Sequence, residues 1–390
     1  MSLIGGCRLH IVKNAVVFHN APIIKFINLY ENSVPPKVLT PEPSSASSLQ
    51  RENLPFTIQD VRQAIPAHCF TPSATRSISY FLRDVAIVTG LYALAAYLDS
   101  WFFYPIFWLA QGTMFWALFV IGHDCGHGSF SKSKWLNNLI GHISHSFILV
   151  PFHGWRISHR THHKNTGNLD KDESWYPIKE STYRKMAWWE KMLRFDLALL
   201  FVYPLYLFRR SPDRAAGSHF HPDSPLFRKS EHKDIITSTV WWLGMVGLLA
   251  VGAYTWGFLW LVKFYLVPYV IFVMWLDLVT FLHHTDNETP WYRGEDWYFL
   301  KGAISTVDYD YGFINNIHHD IGTHVLHHIF LTIPHYHLKE ATAAIKPVLG
   351  EHYRHSKVSV WTAFWNGVNN CHFVSDTGSK LYYQSKTTLD

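Results

Sequence analysis

The chain has 390 residues, of which 48% are hydrophobic and only 16% charged, with 17 tryptophans, 26 histidines and a formal net charge of +5. So few charges beside so many aromatic residues is unusual for a soluble enzyme, and a mean hydropathy near zero then requires apolar spans balanced by a large polar part. Cys7, Cys69, Cys125 and Cys371 are widely spaced with no CxxC pair, and imply neither a disulfide scaffold nor a zinc ribbon.

Residues 1–53 read as an N-terminal extension. There is no acidic residue before Glu31, and the Pro/Ser-rich stretch "PPKVLTPEPSSASS" is expected to be disordered. The extension lacks the apolar run and small-residue cleavage site of a secretory signal, and its start is not serine-rich enough for a transit peptide. The main domain is expected over 54–375, followed by a tail at 376–390.

Four stretches approach the roughly 20 residues a helix needs to cross a bilayer: about 82–98, 101–121, 236–256 and 258–279. Asp99 and Ser100 join the first two, and a turn around Trp256 and Gly257 joins the last two, so each pair reads as a helical hairpin. Lys and Arg are missing from both connectors, whereas the segment 122–234 carries Arg156, Arg160, Lys164, Arg184, Lys185, Arg209, Arg210, Arg214, Arg228 and Lys229. Positive-inside bias places that segment and both termini on the cytoplasmic or equivalent face. Trp101, Tyr104, Trp241 and Trp256 fit interfacial belts at span ends. The runs at 139–152 and 195–208 are short for spans and read as helices in or near the interface, the second interrupted by Pro204. The fold expected is therefore all-α and integral to the membrane, with four transmembrane helices in two hairpins under a cytoplasmic helical cap.

Histidines cluster just beyond the spans. "HDCGH" offers His123 and His127 at i, i+4; "HRTHH" offers His159, His162 and His163 at i, i+3, i+4; "HVLHH" repeats that spacing with His324, His327 and His328. On a helix each group points its rings to one face, and span parity brings all three groups to one side of the membrane. A structural zinc takes four ligands and a catalytic zinc three, so this many imidazoles imply two ions, and a histidine-rich di-iron oxygenase site fits best. No ExxH pair of the soluble di-iron bundles occurs in these segments. Isolated histidines (His10, His19, His68, His142, His145, His153, His219, His221, His232, His335, His337, His352, His355 and His372) read as surface or hydrogen-bonded core residues. Cys125 reads as a packing residue.

"GHDCGHGSFS", "VPFHGWRISHRTHHKNTGN", "DESWYP", "TFLHHTD", "YGFINNIHHDIGTHVLHHIF" and "IPHYHLKEATAAIKP" resemble the membrane fatty acid desaturases, and within them the omega-3 (delta-15) acyl-lipid enzymes of cyanobacteria and plastids. The likeness runs from about residue 54 to about 375 and fails over the extension. It implies two irons held by the box histidines and one more histidine at the end of the fourth span, His284 in preference to His283, with His319 a possible addition. It also implies that the iron pair activates dioxygen and removes two adjacent hydrogens from a methylene pair, releasing water, a reaction that side-chain acid-base chemistry cannot start on an unactivated chain. The expected reaction converts linoleoyl to alpha-linolenoyl chains in membrane glycerolipids. Asp124, Asp170, Asp172, Glu173, Asp310 and Asp320 are candidates to orient the rings. With no Rossmann fingerprint and no fused cytochrome motif, electrons must come from a separate donor; the resemblance implies ferredoxin, and Arg209, Arg210, Arg214, Arg228 and Lys229 offer a basic docking face. No nucleic-acid partner is implied. The expected location is a cyanobacterial thylakoid or plasma membrane, or else a plastid membrane, with the site on the cytoplasmic or stromal side.

Other readings remain open at this point. An omega-6 desaturase, hydroxylase or ketolase would use the same scaffold. A haem-binding electron-transfer protein would place facing histidines within the spans, and a metal transporter would need ionisable residues along them, where only Arg83, Asp84, Lys263 and Asp277 occur.

Overall fold

A computed structural model describes residues 54–196, 198–210 and 215–389, without the side chains of 196, 198–201 and 389; the expected disordered extension and Arg214 lie outside the described residues. Helices dominate, with one two-stranded sheet among the described residues. A short first helix, α1 (Ile58–Ala64), is started by a capping box in which Thr57 Oγ1 accepts from the Asp60 backbone and Asp60 accepts from the Thr57 backbone.

Next come α2 (Ala74–Leu98) and α3 (Tyr104–His127), then α4 (Lys134–Phe147) and α5 (Phe152–Asn165). α6 (Ala198–Phe208), α7 (His232–Trp256) and α8 (Phe258–His284, with a π turn at Val262–Leu266) follow. The chain closes with α9 (His324–Ile329), α10 (His335–Leu349) and α11 (Val360–Asn370). α2, α3, the helix through α7 and α8 are long and apolar enough to cross a membrane. They outrun the stretches expected from hydropathy: α2 begins at Ala74, where Ser73 caps it, and α3 continues past 121 until Gly128 (φ +76°) stops it. Helix ends are set by caps and left-handed residues rather than by where apolarity fades. That overrun matters, because it carries His123, His127 and His284 on the last turns of α3 and α8.

The run 139–152 is not one helix. α4 ends at Phe147, Leu149 takes φ +57°, and α5 starts at Phe152, so the apolar residues divide between a helix end, a turn and a helix start. In the run 195–208, α6 keeps Pro204 inside it and packs along α8, burying Tyr203 and Leu207.

α3 lies at the centre, packed on α8, α4 and α2. Two glycines permit this closeness. A Cβ on Gly112 would lie 2.5 Å from the Ile271 side chain of α8, and one on Gly122 would overlap the His145 ring of α4. Two strands, β1 (Trp291–Tyr292) and β2 (Lys380–Leu381), pair antiparallel with Trp291 opposite Leu381 and tie the C-terminal segment to the loop after α8.

Candidate metal centre

The ends of α3 and α8, together with α5 and α9, enclose the histidines. Ring nitrogens of His123, His127, His159, His163 and His327 lie within 4.8 Å of one another, and so do those of His162, His284 and His328. His324 joins the second set, its Nε2 standing 3.0 Å from Nε2 of His284 and 2.9 Å from Nε2 of His328. In the first set, Nε2 of His163 stands 2.9 Å from Nε2 of His159. The two sets adjoin, with the His163 and His328 rings 4.1 Å apart between centroids. Apart from His319, the possible addition, the histidines expected as ligands are thus all in one of two neighbouring sets, although α9 follows α3 and α5 by a long interval of chain.

Neutral imidazole has one N–H and one lone pair, so a partner at one nitrogen fixes which nitrogen remains to bind a cation. His162 donates from Nδ1 to Asp172 at 2.7 Å, and His328 donates from Nδ1 to Thr166 Oγ1 at 2.9 Å. His127 Nε2, His163 Nδ1, His284 Nδ1, His324 Nδ1 and His327 Nε2 are buried with no hydrogen-bond partner. Leaving such groups unsatisfied costs about 1–3 kcal/mol each, and converging lone pairs have no proton to share. A pair of cations between the rings would take up the converging lone pairs, among them Nε2 of His159, His163, His284, His324 and His328, so the residues fit a two-metal site of nitrogen ligands. Burial first, then the neighbouring rings, holds His159, His163, His324, His327 and His328 well below the ordinary imidazole range, which keeps their lone pairs free.

The acids divide. Besides Asp172, Asp124 reaches the rings: it accepts from His335 Nδ1 at 2.9 Å and lies 3.4 Å from His123 Nδ1. Asp170 lies near Arg293, Glu173 pairs with Arg210, Asp310 holds Gly312 and Asn315, and Asp320 pairs with Lys339. His319 stands apart from both sets, its Nε2 2.6 Å from Asp84. His283 is occupied at both nitrogens, Nδ1 by the Val307 carbonyl at 2.5 Å and Nε2 by the Tyr311 hydroxyl at 3.2 Å, whereas His284 faces the cluster. Cys125 is buried in the apolar core and belongs to neither histidine set.

Three contributors escaped sequence reasoning. Asp308 accepts from the Val325 backbone at 2.7 Å and from the Tyr353 hydroxyl at 2.6 Å, steadying the first turn of α9 in place of a side-chain cap. His335, read as an isolated histidine, positions Asp124, and Asp84 holds His319 whose ring lies 4.5 Å from that of His335. Only Asp84 carried a signal, an acid at the edge of an apolar span. Of the other isolated histidines, His145 pairs with the Phe119 carbonyl and His219 with Ser158, as expected of hydrogen-bonded core residues. The expected basic face loses one member, because the half-buried Arg210 is held in a two-pronged ion pair with Glu173; Arg209, Arg228 and Lys229 are exposed.

A cavity meets the histidines. Its walls include Trp116, Phe119, Val120, Leu276, Val279 and Ile321, and it also touches His123, His159, His162, His284 and His324. Apolar walls beside nitrogen ligands suit a hydrocarbon held against a metal.

The family model for fatty acid desaturases matches residues 99–358, and a model for a domain of unknown function matches 51–93. The chain is 66% identical over 334 residues, 86% of itself and 92% of the relative, to the sn-1 acyl-lipid omega-3 desaturase (ferredoxin) of Synechocystis sp.. It is 53% identical to the temperature-sensitive sn-2 acyl-lipid omega-3 desaturase (ferredoxin), chloroplastic, of Arabidopsis thaliana, covering 86% of this chain and 79% of that one. It is 54% identical to the omega-3 fatty acid desaturase, endoplasmic reticulum, of Vigna radiata, covering 86% and 90%. The chain belongs to the fatty acid desaturase family.

Proposed function

We propose that this protein is an omega-3 acyl-lipid desaturase that places a cis double bond in linoleoyl chains of membrane glycerolipids, giving alpha-linolenoyl chains with dioxygen and reduced ferredoxin. The observation that carries the reading is the convergence of the histidines on one apolar cavity, in a chain similar along most of its length to relatives bearing that name. His123, His127, His159, His162, His163, His284, His324, His327 and His328 would hold two irons. When bound, the iron pair supplies the oxidising power from dioxygen that C–H cleavage requires. The chain's own residues do the rest: the apolar walls hold the acyl chain and exclude water, while Asp172, Thr166 and the Asp124–His335 pair fix ring orientation.

The architecture we infer is two hairpins, α2 with α3 and α7 with α8, under a helical cap on the cytoplasmic or stromal face of a thylakoid, plasma or plastid membrane. Residues 54–375 would form the desaturase domain between an N-terminal extension and a tail. The basic segment between the hairpins supports that orientation, and exposed Arg209, Arg228 and Lys229 suit an acidic electron donor.

The test is gas chromatography of fatty acid methyl esters from a host without trienoic acids, given linoleate and reduced ferredoxin. An alpha-linolenate peak with this chain and none with His163→Ala is the expected result. Hydroxylated or dienoic products instead would move the protein to an omega-6 or hydroxylating relative on the same scaffold.

A further inference from the structure

A third set of ligand-type side chains lies apart from the two histidine sets. After α1 the chain makes a 3₁₀ turn, Ala67–Phe70, that carries His68 and Cys69; α10 presents His337 and Glu340 at i, i+3. One donor atom from each of His68, Cys69, His337 and Glu340 lies within 4.8 Å of the other three. His68 Nε2 stands 2.9 Å from Glu340 Oε1 and 3.6 Å from Cys69 Sγ, and His337 Nδ1 stands 3.6 Å from Glu340 Oε2. None of these residues was singled out by spacing, since the turn and the helix are 272 positions apart between His68 and Glu340.

We infer that His68, Cys69, His337 and Glu340 form a mononuclear zinc site that clips the segment before the first span onto α10. Four donors, two nitrogens, one sulfur and one carboxylate oxygen, match the coordination number and ligand types that zinc takes in protein sites. Magnesium and calcium demand mostly oxygen, and a single carboxylate does not meet that demand. The sulfur is buried at 0% exposure while His68 and Glu340 face solvent, so an ion enters from water and comes to rest against the fold. Binding is not a redox step: the Cys69 S–H bond breaks, its proton leaves to water, and an S–Zn bond forms with the charge reduced by the thiolate. Ligand-bearing elements that already touch need little rearrangement, because α1 also packs on α10 and the Arg62 guanidinium covers the Phe70 ring at 4.4 Å. The clip closes a long loop of chain, and it steadies the helix whose first residue, His335, holds Asp124.

The experiment measures metals on purified full-length protein after dialysis against a weak chelator. About one zinc per chain beyond the iron is expected in the wild type, with an X-ray absorption first shell of one sulfur at about 2.3 Å and three lighter scatterers at about 2.0–2.2 Å. Cys69→Ser and Glu340→Gln should each lower zinc at least tenfold while iron content stays unchanged. The wild-type shell decides the matter even where a variant fails to fold. No zinc retained by the wild type, a shell without sulfur, or zinc unchanged in both folded variants overturns the assignment.

Discussion

The four apolar helices differ in what surrounds them. α3 and α8 have 67% and 56% of their most apolar stretch buried within the protein, against 22% for α2 and 17% for the helix through α7. The span-borne histidines of the metal centre, His123, His127 and His284, all sit on the buried pair. A bilayer satisfies hydrophobicity equally for all four, so it cannot by itself hold one helix end to within ångströms of another. That requires protein on every side, which α3 and α8 obtain through close approach at Gly112 and through α4, α5 and α6. Outer helices supply the span, and inner ones supply the geometry.

Perturbations should therefore scale with nearness to the inner pair. The largest effect is expected from His327→Ala, which removes a ring that stands 4.6 Å from His123 and 4.7 Å from His163 between centroids. Loss of detectable product, with at least half of the bound iron gone by elemental analysis, is the expected outcome; full iron and activity would disconnect the first set from the reaction. Next is Phe272→Ala on α8, a side chain at 0% exposure packed among Phe119, Tyr203 and Tyr269. A stability loss of about 3–5 kcal/mol is expected from the cavity, read as an earlier unfolding transition in detergent. A shift no larger than that of an exposed residue would erase the distinction between the helices.

Asp308 links the comparison to pH. Burial raises its carboxyl from the ordinary 3.8 to about 6, against the opposing effect of its hydrogen bonds. The folded protein then holds a proton that the unfolded chain releases earlier, so the stability this proton contributes is full below about pH 4 and is lost as pH rises through about 6. The fall is at most about 3 kcal/mol, since a tenfold difference in proton affinity is worth about 1.4 kcal/mol. Asp308→Asn carries no such proton, and the difference between its stability profile and that of the wild type should show this slope between about pH 4 and 6. Parallel profiles would sink the assignment. Smaller still is Asp172→Ala, which frees the His162 ring: iron affinity or turnover should drop about 10- to 100-fold, the usual scale for an outer partner of a ligand. Rescue by Asp172→Asn, which still accepts a hydrogen bond, would separate orientation from charge.

Much of this was legible in the chain. Apolar length marked four helices, and repeated i, i+3, i+4 histidines marked the rings that cluster, because both signals are local and periodic. What stayed hidden was contact across distance. Asp308 and His335 act on groups brought near by folding, and nothing beside them in sequence distinguishes them from ordinary loop and helix residues. The run 139–152 misled for the opposite reason: its apolarity was real, but Leu149 at φ +57° breaks the chain between α4 and α5, a backbone event that composition does not announce. Arg210 shows the same limit for charge, since a count of basic residues cannot tell an exposed docking group from one closed against Glu173.

The smallest expected effect tests the outer side of the comparison. Leu248, near the middle of α7, is 69% exposed in the protein and would meet only lipid tails. Lipid is as apolar as leucine, so Leu248→Ala removes neither buried packing nor any contact to the inner pair. Stability should change by no more than about 0.5 kcal/mol, and the product profile by nothing measurable. A loss comparable to that of Phe272→Ala would mean that this face of α7 is covered by protein in the membrane. The outer helix would then be an interface, and the division between helices that supply span and helices that supply geometry would have to be drawn around a larger assembly.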